Sequence, residues 1–256
     1  MIDFTINTYE NLLLTLINAD YQFVTFRDFL KSADEYNKFI VLRHDVDKRC
    51  KNSLNTAQIE NQLGIQGSYY FRMKPCSFNK TIIQQIESLN HEIGYHYENM
   101  DTCIGNLQDS IEDFQNSLDK LRMVANINTI CMHGSPLSKW DNRKLWAHYN
   151  YRDYGIIGEP YFDIDFNEVH YLTDTGRRWD GDKVAVRDKV ISGKSKIKIR
   201  STNEFIQAIY YGNLSNKIMI TVHPQRWSNN LFFWGKEIIL QNIKNTIKYF
   251  IVKHNH

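Results

Sequence analysis

Short apolar runs that stop abruptly at polar residues recur along this chain. FIVL runs into RHDVD (43–47), TICM into HGSP, EVHYL into TD, and KIMITV into HPQRW, while HEIGYHYE (91–98) carries its polar residues within the run. A run of this length without strict alternation is a strand buried on both faces, which is the signature of a parallel sheet covered by helices. Helical spacing fills the intervals, over about 52–63, from Ser77 to Asn90, 104–124, 138–149, 203–211 and 235–252. Seven strands are predicted, near 39–47, 67–73, 91–97, 129–133, 153–158, 168–174 and 217–223. Most are followed by a helix. Polar residues gathered at the carboxyl ends of nearly every strand favour a distorted (β/α)7 barrel over an open doubly wound sheet, which collects its site at one switch point. The 256 residues suit a single domain, with 1–38 as an N-terminal helical extension and 174–203 as a long loop or lid.

Several function classes are excluded at this level. A formal net charge of +2 gives no basic surface of the kind nucleic acid requires. GIIGEP lacks the GxGxxG spacing and no GxxxxGK[ST] occurs, so a nucleotide-phosphate loop has no support. The start, MIDFTINTYENLLLTLINAD, has no basic region ahead of its apolar residues and reads as an amphipathic helix, not a signal peptide. No apolar run is long enough to span a bilayer, and Cys50, Cys76, Cys103 and Cys131 are scattered singly. The expectation is a soluble cytoplasmic protein with free thiols that serve mainly as small buried residues.

The residues at the strand ends are of the types that metal-assisted hydrolysis needs, a carboxylate and imidazoles converging from separate elements. VLRHDVD, NHEIGYH and IMITVHP resemble the motifs of the polysaccharide deacetylases, the NodB-homology group of carbohydrate esterases. The resemblance covers about 39–227 and implies a distorted barrel and a divalent metal. Zinc is the expected ion, with cobalt, nickel or manganese also suited to mixed O/N ligands. It further implies Asp45 as catalytic base, Asp47 and His96 as metal ligands, and His223 as the acid that protonates a leaving amine. Asp174, at the end of the sixth strand, is then expected to orient His223.

Two departures from the family pattern stand out. The position of the usual second metal histidine is Met100, a poor zinc ligand, which leaves His133 and Glu98 as candidates to complete the site. The usual arginine-containing third motif is replaced by CMHGSP. His91 is expected on the far face of the barrel. Trp179 and Trp227, flanked by polar residues, are candidates for stacking on a sugar ring. From Asp174 to Arg200 the chain has nine Lys or Arg against four Asp. That stretch is either a solvated charged hairpin, with VAVRDKVI and KIKIR as exposed strands, or a lid in which Arg177 and Arg178 attract an anionic substrate. The expected activity is removal of an N-acyl group, N-acetyl above all, from an amino sugar in polysaccharide or glycoconjugate synthesis, on a carbohydrate that is anionic or nucleotide-linked. Alternatives are hydrolysis of another linear or cyclic amide, and a non-catalytic glycan-binding relative.

Overall fold

A computed structural model describes residues 2–135, 138–180, 190 and 198–254, and shows a mixed α/β protein built on a seven-stranded parallel sheet. The strands are β1 (Gln22–Val24), β2 (Phe39–Val46), β3 (Ser68–Phe71), β4 (Glu92–Tyr97), β5 (Ile127–Met132), β6 (His170–Thr173) and β7 (Lys217–Val222). Their order across the sheet is β5-β4-β3-β2-β7-β6, and β1 pairs with the amino-terminal half of β2. β2 is buried along its whole length, which explains why FIVLRHDV does not alternate. No pair joins β5 to β6 among the described residues, so the sheet is not closed there.

The helices are α1 (Ile6–Asn18), α2 (Phe26–Ser32), α3 (Cys50–Gln62), α4 (Lys80–Ser88), α5 (Asn99–Thr102), α6 (Leu107–Arg122), α7 (Pro160–Asp163), α8 (Thr202–Tyr210) and α9 (Leu231–His254). Most begin at a side-chain cap. Thr5, Asn79, Asn106 and Ser201 each accept a backbone N–H of the first turn, satisfying a donor that would otherwise be unpaired. α6 also has Asp109 in its first turn and Lys120 and Arg122 in its last, matching the helix dipole, and buries Ile111, Phe114, Leu118 and Leu121 on one stripe.

Three sequence expectations are corrected here. DYGIIG forms no strand: Asn150 caps a 3-10 turn over Tyr151–Tyr154, Gly155 closes it at φ 69°, and only Gly158 bridges to Thr129. The seventh strand is instead β1, inside the stretch expected to be helical. The helix expected from Ser77 starts only at Lys80, because the Ser77 hydroxyl accepts Arg72 N–H and donates to the Val46 carbonyl and Asn79 caps α4. Much of the expected lid, 181–189 and 191–197 with most of VAVRDKVI and KIKIR, lies outside the described residues. None of the four cysteines is in a disulfide, yet only Cys131 is buried and Cys76 is exposed, so burial is not their common role.

Candidate metal centre

Because the sheet is parallel, every strand delivers its carboxyl end to one side, and the register decides which side chains meet. β2 carries Asp45 one residue before its end and Asp47 just past it, β4 carries His96, and His133, Asp174 and His223 each stand one residue past β5, β6 and β7. Gly94 makes the β4 contribution possible. A Cβ there would lie 2.3 Å from the Tyr70 ring, and the β4–β5 register slips between Ile93 and Tyr95 before His96 pairs with Cys131.

Asp47, His96 and His133 offer ligand atoms that lie within 4.8 Å of one another. Asp47 Oδ1 is 3.6 Å from His96 Nε2 and 3.5 Å from His133 Nε2, and it is buried without a hydrogen-bond partner. That set fits a divalent ion: an orphaned carboxylate oxygen faces two imidazole nitrogens, the far nitrogen of His96 is hydrogen-bonded, and that of His133 lies against a carboxylate without a formed hydrogen bond. His96 Nδ1 is 2.9 Å from the Cys131 carbonyl, so it donates there and leaves Nε2 as a lone pair. His133 Nδ1 lies 3.2 Å from Glu98 Oε2. Glu98 is therefore in contact with His133 and not with Asp47, and its second partner is Arg72, at 2.7 and 3.0 Å. Burial works to raise the Glu98 pKa, but His133 and Arg72 beside it outweigh burial and bring it down to about 2. The carboxylate–imidazole arrangement is the usual support for a metal-binding histidine. Side-chain exposures of 23% at Asp47 and 15% at His133, against 2% at His96, show where the cluster opens to solvent.

Met100 is buried in the apolar core beside Tyr97 and Ile111 and takes no part in the cluster. Gln225, which the sequence reading did not single out, donates from Nε2 to Asp47 Oδ2 at 3.0 Å. Asp47 is thus held through one oxygen while the other stays free. Burial works to raise its pKa, and the three neighbouring histidines hold it well below the ordinary carboxylate range.

Two ionic arrangements flank the cluster. Arg43 and Asp45, two residues apart on β2 and so on the same face, pair through Nε–Oδ1 at 2.7 Å and Nη2–Oδ2 at 2.6 Å, both fully buried. Burial alone would raise the Asp45 pKa, but the Arg43 guanidinium, then His96, lower it. A charged residue in a strand buried along its whole length, at period two from Asp45, was a signal available in the sequence. Opposite, Asp174 Oδ1 accepts His223 Nδ1 at 2.6 Å and also Arg226 Nη1, while Oδ2 accepts the His223 backbone N–H and Trp227 Nε1, each at 2.9 Å. Against a burial effect that would raise it, Arg226 and His223 bring the Asp174 pKa down to about 2. His223 Nε2 then points back towards Asp47 Oδ2, 3.9 Å away.

The candidate sugar-binding residues are not brought to the cluster. Trp179 and Trp227 are completely buried with Phe4, Tyr9 and Phe205, so neither ring has a face to offer a sugar; their indole nitrogens donate inside to residues distant in sequence, Thr202 for Trp179 and Asp174 for Trp227. Arg178 is committed to Asp180 at 2.7 and 2.8 Å, and Arg177 packs between Phe4 and Trp234 with Nη2 on the Asp3 carbonyl. His91 is buried at the opposite, amino-terminal end of β4, accepting Gly67 N–H and contacting the Ala57 carbonyl. His148 is exposed and away from these residues' hydrogen bonds.

Compared with known proteins, the chain matches no family model and no curated protein. No helix among the described residues is long and apolar enough to cross a membrane.

Proposed function

We propose that this chain is a metal-dependent hydrolase that removes an acyl group, acetyl above all, from the nitrogen of an amino sugar, working on a distorted (β/α)7 barrel of the polysaccharide deacetylase type. The observation that carries the reading is the meeting of Asp47, His96 and His133 between a second carboxylate, Asp45, and a carboxylate-supported imidazole, His223. Zinc is the ion best matched to one carboxylate and two imidazoles. Such an ion supplies an acidified water and a Lewis acid for the acyl carbonyl.

The chain's own groups divide the two proton transfers that amide hydrolysis needs. Asp45 would accept the proton of the attacking water, and the Arg43 pairing, which stabilises its charged form, makes it a weak base. His223 holds a proton at Nε2 for the departing amine, and Asp174 keeps Nδ1 protonated and stabilises the imidazolium. The Cys131 carbonyl fixes the tautomer of His96, and the Glu98 carboxylate lies against His133 Nδ1. Asp45→Asn and His223→Ala should retain metal and lose turnover by about 10²-fold or more.

The test is metal analysis of chelator-free protein together with acetate release from N-acetylglucosamine oligomers. One divalent ion per chain, lost in the Asp47→Ala, His96→Ala double variant, supports the site; equal content in both proteins refutes it. Metal-dependent hydrolysis of other amides, without acetate release from the oligomers, would move the reading to a different amide on the same centre.

A further inference from the structure

α9 is amphipathic the wrong way round for a helix on a protein surface. Its inward side is polar: Glu237 and Gln241 are buried, Glu237 pairs with Lys48 at 3.2 Å, and Asn245 donates to the Gly176 carbonyl at 3.0 Å. Its outward side is apolar, with Phe232 73% and Ile239 62% exposed and Phe233, Leu240 and Ile243 exposed beside them. Phe232, Ile239, Leu240 and Ile243 stand at i, i+7, i+8 and i+11 on one face, with Lys236 at i+4 among them. Large apolar side chains left together in water mark a surface that something covers.

Charge decides what covers it. Over 231–254 the sequence has four lysines, Lys236, Lys244, Lys248 and Lys253, against the single acid Glu237, which Lys48 already neutralises. A second copy seated on this face would set one lysine-rich helix against another. An anionic surface complements it, and an apolar face with one exposed lysine within it, Lys236, and another at its edge, Lys244, whose stems can reach up to charged headgroups, is the pattern of a helix that lies in the headgroup layer. No helix among the described residues can cross a membrane, so α9 lies in the plane of the surface.

We propose that the outward face of α9 docks this protein on an anionic lipid bilayer. The helix is bound to the two loops that carry the site, through Lys48 next to Asp47 and through Gly176 two residues after Asp174, so docking holds the metal centre at the membrane surface. The inference stands on the helix alone and does not depend on the hydrolase reading.

The test is flotation of the full chain with vesicles of phosphatidylcholine and phosphatidylglycerol in equal parts, with pure phosphatidylcholine as control. Wild type should float with the anionic vesicles, less so as salt is added. Phe232→Ser, Ile239→Ser and Ile243→Ser together should weaken that binding by about tenfold or more. Lys236→Glu with Lys244→Glu should weaken it too, and this pair decides the matter if the serine variant does not fold. Tyr210→Ser with Tyr211→Ser, an exposed aromatic pair at the end of α8, should bind like wild type. Equal flotation with both lipid mixtures, or binding untouched by the α9 variants, would overturn the proposal. So would a dimer in solution that the serine variant converts to monomer, since a second copy would then cover the face.

Discussion

Asp174→Asn is the most informative single change, because one buried carboxylate accepts from four donors. Oδ1 takes His223 Nδ1 and Arg226 Nη1, and Oδ2 takes the His223 backbone N–H and Trp227 Nε1. An asparagine has one acceptor oxygen, so either amide orientation sets its NH2 against two of these donors and leaves Arg226 without its buried counter-charge. Removing one partner of a buried ion pair costs about 3 to 5 kcal/mol. For a chain of this size that is a fall in melting temperature of about 6 to 20 °C. The pH dependence gives an independent check. With its pKa down at about 2 in the folded chain against an ordinary 3.8, Asp174 stabilises the fold fully above about pH 5. As pH falls the unfolded chain takes up the proton first, and of a total of about 2.5 kcal/mol about 2 kcal/mol is lost by about pH 2 and the rest by about pH 1. Urea denaturation of wild type and variant across that window should give curves that converge as pH falls, since the other carboxylates contribute alike to both. Curves that stay parallel, or a stability loss below about 1 kcal/mol at neutral pH, would refute the assignment of Asp174 as the charged hub of this network.

Glu98→Gln should lower metal affinity by about 10- to 100-fold while leaving the fold intact, as a competition titration with a chromophoric chelator would show; unchanged affinity would remove Glu98 as the support of His133. Trp179→Ala should cost about 3 to 5 kcal/mol in chemical denaturation, because it empties a buried site between Phe4, Phe205 and Trp227. A stable Trp179→Ala with a raised Michaelis constant would restore the sugar-stacking role. Glu60→Ala should destabilise by about 3 to 5 kcal/mol, since its carboxylate accepts Tyr9 and Tyr69 hydroxyls at 2.6 and 2.8 Å and sits 2.9 Å from His44 Nε2. Hydrogen exchange at α1 and α3 should rise in that variant, because Tyr9 and Glu60 join those two helices.

What could be read from the chain beforehand was what one strand reveals by itself. A buried strand announces itself by an apolar run, and the polar residue that ends it marks the carboxyl edge, so Asp45, Asp47, His96, His133, Asp174 and His223 were all visible one strand at a time. What one strand cannot disclose is its neighbour's register. His133 rather than Glu98 faces Asp47 because His96 pairs with Cys131, which sets His133 beyond the end of β4 and turns Glu98 to Arg72. Local composition misled for the same reason at Trp227, where polar neighbours are the mark of an exposed ring unless a partner from another strand, here the Asp174 carboxylate, takes the indole N–H inside. β1 was lost to its length, since three residues carry no period, and it is a strand only because β2 offers an unpaired edge beside Phe39–Val41. Arg43 shows the converse case: a charge in the middle of a buried run has to find a counter-charge on its own face, and period two names Asp45 as the only acid in β2 that can supply one. A buried charge is therefore a pairing constraint that can be solved from sequence, whereas the ligand set of a metal, drawn from three separate strand ends, needs the register that only the folded sheet supplies.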